Sequence, residues 1–266
     1  MHTKTKISIV TVCYNAIASI EETILSVINQ DYPDTEYIVI DGGSTDGTVD
    51  IIRKYEHRIA KWISEPDRGI YDAMNKGIDN ASGDYINFMN AGDRFYDRTV
   101  LSRVCETASD EDVIYGDAVM VTEYCAFTQQ PQPLSQFVRT LPFCHQAAFA
   151  KSSLMRKFRF DTSFRSAADY HFMYTLWHDG HSFGYVPFPI AIFDARAGFS
   201  AKNKKIVLKE IARVNGRDRR FCGRLSVRLQ YADFYCRSLL KRMLPKKLVK
   251  NISIHHVKQG GGSVQQ

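Results

Sequence analysis

The sequence predicts an α/β fold: a mostly parallel sheet with helices on both faces, followed by a basic helical C-terminal extension. Three observations carry this. Short β-branched runs alternate with segments of helical periodicity from residue 7 to residue 89, the order of a parallel, helix-covered sheet. Turn-forming Gly, Asn and Asp follow the strand-like runs, as in residues 41–48 and 90–93. Beyond residue 201 the composition turns basic.

Residues 7–12 (Ile-Ser-Ile-Val-Thr-Val) are apolar and β-branched and form the first strand. A helix over 18–30 follows, with Ile20, Ile24, Val27 and Ile28 on one face and Ser19 and Glu22 spaced as a capping box. Residues 37–41 form the second strand, and the turn from Gly42 leads into a helix over 49–55. A short strand at 59–64 precedes a helix over 70–81, whose Ile70, Met74, Gly77 and Ile78 share a face. Residues 85–89 are the next strand, bounded by Gly83-Asp84 and Gly92-Asp93. The second half is less regular. It offers extended runs at 113–117 and 118–122, a proline-bearing loop over 128–142, and a strand over 145–150. A helix over 167–179 and an extended return over 183–192 follow.

Composition is globular, with 44% hydrophobic and 24% charged residues. The length suits one sizeable domain (residues 1–201) and an appendage (202–266) with a flexible glycine-rich end. Six scattered cysteines without a Cys-x-x-Cys pair argue against a zinc ribbon or disulfide scaffold and for a reducing compartment. The N-terminal apolar run breaks at Tyr14-Asn15 and reads as a strand, not a signal peptide. No run reaches the ~18 apolar residues of a membrane-spanning helix. Between Lys202 and Lys250, 16 Lys and Arg stand against 3 acidic residues, whereas residues 1–201 carry 18 basic and 26 acidic groups. The net charge of +6 thus hides an acidic body and a basic tail, and such a tail suits an anionic partner.

Asp93, in Phe88-Met89-Asn90-Ala91-Gly92-Asp93, follows a buried strand. In open α/β sheets that position faces the ligand crevice, where a carboxylate can hold a divalent cation together with substrate phosphates. Gly-Asp is also ordinary turn chemistry. The first strand ends in Thr11-Val12-Cys13-Tyr14-Asn15 and the second in Asp41, so polar groups stand on adjacent strand ends, as in a nucleotide site. Neither Gly-x-Gly-x-x-Gly nor Gly-x-x-x-x-Gly-Lys-[Ser/Thr] occurs, which excludes a dinucleotide-dependent dehydrogenase and a standard P-loop.

In order and spacing, residues 7–15, 37–48, 67–77, 81–93 and 145–169 resemble family 2 glycosyltransferases of the GT-A fold, of the bacterial surface-polysaccharide type. The resemblance covers roughly residues 5–200. It implies transfer of a sugar, with inversion, from a nucleoside-diphosphate donor of the UDP type to a hydroxyl of a glycan or lipid-linked glycan. It implies nucleoside contacts from Thr11, Tyr14, Asn15 and Asp41. Many relatives carry two adjacent acids where this chain has Asp41-Gly42, so the position that reads the base stays open. Further nucleotide contacts are implied at Arg68, Gly69, Asp72 and Asn75. A guanidinium at 68 suits a phosphate; the competing role is an ion pair with Asp67 or Asp72. The family's Asp-x-Asp motif falls on Asn90-Ala91-Gly92-Asp93, which makes Asp93 the ligand of Mn2+ or Mg2+ and Asn90 a weak oxygen donor. His145 is placed with Asp93 at the metal, with a base or packing role open. Asp169, at the start of a helix, is implied as the base that deprotonates the acceptor. An ordinary Asp, of pKa about 3.9, is ionised at neutral pH, and its competing role is first-turn helix stabilisation.

In the tail, Leu225, Leu229, Ala232, Cys236, Leu239, Leu240 and Met243 form one helical stripe, with Arg224, Arg228, Arg237, Lys241 and Arg242 around it. This is the pattern of an interfacial amphipathic helix. With the resemblance it implies a cytoplasmic enzyme, peripheral on the inner face of the membrane and bound to its anionic surface; packing of the stripe on the domain is the alternative. No nucleic-acid-binding motif occurs. The rivals are a nucleotidyltransferase that makes sugar nucleotides, whose glycine-rich basic loop is missing after the first strand, and a non-catalytic nucleotide- or nucleic-acid-binding module.

Overall fold

A computed structural model describes residues 5–196, 203–245, 248–251 and 263–265. The first apolar run becomes β1 (Ile7–Cys13), buried along its whole length. It pairs in parallel with β2 (Thr35–Asp41) on one side and β4 (Tyr85–Phe88) on the other, and β2 pairs in parallel with β3 (Lys61–Ser64). β1, β2 and β4 read as mostly apolar runs because helices cover both faces, whereas β3 at the edge is exposed at both ends. Val10, Val12, Ile38 and Ile40 pack with Met74 and Ile78 of α3 (Ile70–Asn80) and with Phe172 and Leu176 of α6 (Ala168–His178). Ile7, Ile9, Tyr37 and Val39 pack with Ile20 and Ile24 of α1 (Ile20–Ile28) and with Val100 and Val104 of α4 (Val100–Thr107). Between β2 and β3 lies α2 (Thr48–Lys54).

Strand β8 (Ala148–Lys151) runs antiparallel between β4 and β6 (Val113–Val121). Two reversals return β6 to the direction of β4, and β9 (Phe183–Asp194) is parallel to β6. Six strands therefore point one way and end on one edge. Among the described strands of residues 5–196 only β5 (Arg94–Phe95), β7 (Ala126–Gln129) and β8 oppose them, and the amino end of β8 arrives at that same edge. The short strand β10 (Ser263–Gln265) pairs with β7.

Several expectations change. Ser19 makes no side-chain cap, so the capping box is not formed; Glu22 instead pairs with Arg94 at 3.1 Å. The two runs at 113–122 are one strand, kinked at residues 116–118. The expected strand over 145–150 begins as a one-turn helix, His145–Ala147, before β8. The expected loop over 128–142 holds the end of β7 and a turn, Leu134–Val138, whose Phe137 is fully buried. Helix α4 and α5 (Ser152–Phe158) are too short to announce themselves by periodicity.

The expected domain boundary at 201/202 and the run 260–262 lie outside the described residues. Helix Lys204–Val214 is built into the body: Ile211 and Val214 join the core, Ala212 is buried, and Glu210 accepts the backbone N–H groups of Arg165 and Ser166 at 2.8 and 2.9 Å. After the left-handed Gly216 comes helix Phe221–Met243, exposed along most of its length. No described helix is long and apolar enough to cross a membrane. All six cysteines are free.

Candidate active site

Strand ends bring the polar residues together, but not all in the expected roles. Tyr14 projects from the end of β1, 66% exposed. Asn15, in a left-handed conformation (φ 47°), ties this end to the loop after β2: its Oδ1 accepts the Thr45 N–H at 3.0 Å and its own N–H donates to Ser44 Oγ at 2.7 Å. Thr11 faces the core instead. Its hydroxyl donates to the Met89 carbonyl at 2.8 Å and lies 3.0 Å from the Tyr37 hydroxyl, so it is spent inside the fold. Asp41 is fully buried and organises its own loop. Its Oδ2 accepts from Gly43 N, Ser44 N and Ser64 Oγ at 3.1, 2.9 and 2.7 Å, and its Oδ1 from Ser44 Oγ and Cys13 Sγ. Burial alone would raise its pKa; the hydrogen bonds from Ser44, Ser64 and Cys13 hold it below the ordinary carboxylate range.

Gly69, at φ 120°, lets the chain turn into α3. Asp72 accepts the Arg68 N–H at 3.0 Å and its guanidinium at 3.1 Å, so the surface ion pair is formed. Arg68 remains 85% exposed and has room to reach a ligand. Asn75 does not: its amide donates to the Phe160 carbonyl at 2.9 Å and accepts the Phe160 N–H at 3.0 Å, which pins α3 to the chain after α5. Thr11 and Asn75, expected at the nucleotide, are framework residues. The sequence could not separate them, because a buried polar side chain needs a partner and that partner can be protein or ligand.

The two carboxylates meet at the turn His145–Ala147. Gln146 Nε2 donates to Asp93 Oδ2 at 2.8 Å, and the Asp194 N–H donates to Oδ1 at 3.1 Å. Next door, His145 Nδ1 lies 3.2 Å from Asp169 Oδ2, and the Tyr71 hydroxyl donates to Oδ1 at 3.0 Å. His145 Nε2 is 3.5 Å from Asn90 Nδ2, so the imidazole stands between the base candidate and the 90–93 loop. His145, expected as a metal ligand, is committed through Nδ1 to Asp169. Burial pushes Asp93 up to about 6, against the hydrogen bonds from Asp194 and Gln146. Asp169 runs the other way: burial is outweighed by the hydrogen bond and charge of His145, and its pKa lies below the ordinary range. The imidazole is raised in turn, burial notwithstanding, by Asp169.

Among the described residues no group of three or more His, Cys, Asp and Glu converges as a metal site. What does fit an oxygen-seeking cation is Asn90 Oδ1, a buried atom without a hydrogen-bond partner, beside Asp93. One carboxylate and one amide oxygen suit an ion that draws its other ligands from substrate phosphates.

Tyr71, Gln146 and Asp194 are residues around the two carboxylates that sequence reasoning missed. Gln146 adjoins His145, but in the expected strand their side chains would point to opposite faces; only the tight turn lets both serve the cleft.

This architecture is GT-A. Staphylococcus aureus TarS, solved in complex with UDP-GlcNAc, superposes with a TM-score of 0.61 at 20% identity, covering 79% of this chain and 66% of that one. The mannosyltransferase PcManGT of Pyrobaculum calidifontis, solved with GDP-Man and Mn2+, gives 0.63 at 20% identity, covering 80% and 64%. At that identity the likeness establishes the fold. The chain belongs to glycosyl transferase family 2, whose model matches residues 8–174, and is by class a nucleotide-sugar-dependent glycosyltransferase. An uncharacterized glycosyltransferase of Mycobacterium tuberculosis is 36% identical over 177 residues, covering 63% of this chain and 67% of that protein. The chain thus spans about two thirds of the mycobacterial relative and of the solved PcManGT chain, and 39% of the longer solved TarS chain.

Proposed function

We propose that the chain is an inverting glycosyltransferase that moves a sugar from a UDP-type donor to a hydroxyl of a glycan or lipid-linked glycan. One observation carries this reading: Asp93 and Asp169 are each held by one of the adjacent residues Gln146 and His145. Transfer with inversion needs the leaving diphosphate and the incoming hydroxyl on opposite sides of one anomeric carbon. A diphosphate site and a base a few residues' width apart supply that arrangement.

Tyr14 and Asn15 line the nucleoside side, and the exposed Arg68 exchanges its Asp72 partner for a phosphate. Asp93 and the unpartnered Asn90 oxygen would hold Mn2+ or Mg2+, which when bound offsets charge on the leaving diphosphate. Asp169 takes the proton of the acceptor hydroxyl as the bond to the sugar forms. His145 and Tyr71 fix its carboxylate in place and keep it ionised; His145 thus serves the base, and Asp72 and Gly69 shape the loop that carries Arg68.

The basic tail supports attachment to an anionic membrane surface on the cytoplasmic side. Leu225, Leu229, Leu239, Leu240 and Met243 are exposed, at 42–81%, so the stripe is not used up by packing on the domain. Arg224, Arg228 and Arg237 share the same exposed helix, and each basic residue close to an anionic leaflet contributes about 1 kcal/mol. The separable extension begins at Gly216, because helix Lys204–Val214 belongs to the body.

The test is a panel of nucleoside diphosphates and nucleotide sugars with and without Mn2+, read by thermal stabilisation and by sugar transfer or hydrolysis. Stabilisation by a nucleoside diphosphate that grows with metal is expected. No response to any nucleotide in either condition refutes the reading.

A further inference from the structure

Resting on the nucleotide-sugar reading above, we propose that Asp67 supplies the carboxylate that reads the nucleobase, in place of an acid missing at position 42. Asp41 cannot do so: it is buried and its oxygens already accept from Gly43, Ser44, Ser64 and Cys13. Gly42, the next residue, has no side chain, and the space its side chain would fill is taken. A Cβ there would lie 2.5 Å from Asp67 Oδ2, 3.2 Å from Asp67 Cγ and 3.4 Å from the Tyr14 ring. Gly43, at φ 81°, is likewise covered, since its Cβ would lie 3.3 Å from the Pro66 nitrogen. The pair of glycines is therefore a seat on which Pro66 and Asp67 rest. The seat is fixed from below by the Glu65 N–H, which donates to the Asp41 carbonyl at 3.0 Å.

The Asp67 carboxylate is half committed. Its Oδ1 accepts the Gly69 N–H at 2.8 Å, which sets the side chain's direction, while Oδ2 accepts no hydrogen bond from any described residue. That free oxygen stands beside the exposed Tyr14 ring, a face on which a base can stack. A carboxylate next to a stacking face accepts a ring N–H. Uracil offers N3–H, and guanine offers N1–H with its amino group; cytosine and adenine offer only an exocyclic amino N–H beside a ring nitrogen, N3 or N1, whose lone pair repels the carboxylate. The site therefore selects a uridine- or guanosine-type donor over cytidine and adenosine.

Calorimetric titration of the full chain with UDP, GDP, CDP and ADP in Mn2+ tests this. The wild type is expected to favour UDP or GDP. Asp67→Ala should weaken that nucleotide about 10- to 100-fold, the loss of a hydrogen bond to a charged group, and flatten the discrimination among bases. Asp67→Asn, which can donate to cytosine N3, should lower the UDP-to-CDP ratio by raising CDP binding, a gain that misfolding cannot produce. Gly42→Asp combined with Asp67→Ala should restore the ratio by moving the acid back to residue 42. A base preference unchanged in Asp67→Ala and Asp67→Asn overturns the inference and leaves the proposed activity standing, as does a wild type that prefers CDP or ADP. Binding of no nucleoside diphosphate by the wild type overturns both.

Discussion

Asp169→Asn keeps the shape of the side chain and removes its charge, and turnover should fall about 10²–10⁴-fold, the range for a lost general base. That is about 3–5 kcal/mol of transition-state stabilisation. The structural cost is smaller and separable. The carboxylate is bonded by His145 Nδ1 at 3.2 Å and by the Tyr71 hydroxyl at 3.0 Å, and bonds to charged groups contribute about 1.5–3 kcal/mol each. Asn offers one acceptor oxygen where the carboxylate offers two, so one of the two bonds is lost at about 1.5–3 kcal/mol, and the melting temperature should drop by roughly 3–12 °C at about 2–4 °C per kcal/mol. Tyr71→Phe is the control. It removes one of the two bonds, keeps the carboxylate, and should retain turnover within about tenfold while costing about 1.5–3 kcal/mol of stability. Sugar transfer at saturating donor, scanning calorimetry and nucleotide titration on the three proteins supply the comparison, with nucleotide affinity expected to be equal in all three. A turnover loss in Asp169→Asn no greater than in Tyr71→Phe refutes the assignment of Asp169 as base.

Other expectations concern the scaffold and the tail. Glu36 accepts Ser8 Oγ at 2.6 Å, Ser82 N and Oγ at 2.7 Å each, and Lys6 Nζ at 3.4 Å, and these bonds hold its pKa below the usual value in spite of burial. Its stabilisation is therefore complete above the unfolded pKa of about 4.3 and disappears as pH falls through the lower native value. Glu36→Gln should cost about 1–3 kcal/mol in urea unfolding at pH 7, with the gap to wild type closing below about pH 4; an equal gap at pH 7 and pH 3 contradicts the linkage. Gly77 lies so close to Val10 Cγ1 that a Cβ cannot fit, and Gly77→Ala should destabilise by about 1–3 kcal/mol by overpacking, which a chemical denaturation curve will show or deny. Leu229→Glu with Leu240→Glu, both on the exposed stripe, should lower binding to anionic vesicles at least ~100-fold, given about 1.5–3 kcal/mol per buried apolar side chain, with melting temperature unchanged. Vesicle binding that survives this pair speaks for a tail without a membrane role.

The parallel half of the fold was legible because β1, β2 and β4 are mostly apolar runs closed by turn residues, as burial on both faces requires. The start of α1 was misread: Ser19 and Glu22 have the spacing of a capping box, yet Glu22 finds Arg94, 72 residues away, a partner invisible to local pattern. At the site, order and spacing pointed to Asp93 and Asp169. Roles that depend on which way a polar side chain faces were not legible. Thr11 and Asp41 sit at strand ends as a ligand contact should, but hydrogen bonds to Met89, Ser44 and Ser64 turn them inward. Asp67 is the reverse case, since the role proposed for it arises only from the missing side chain at Gly42, whose place it takes.

The turn His145–Ala147 has a mechanical consequence. Consecutive Cα atoms are about 3.8 Å apart, and here two neighbours each hold one of the two carboxylates. The pair acts as a yoke: a displacement that tilts it drags both carboxylates together, so their spacing behaves as a fixed gauge. On the proposed assignment of these carboxylates, room for a bulkier sugar would have to be made at the turn itself, since neither carboxylate moves outward alone without losing its bond to Gln146 or His145.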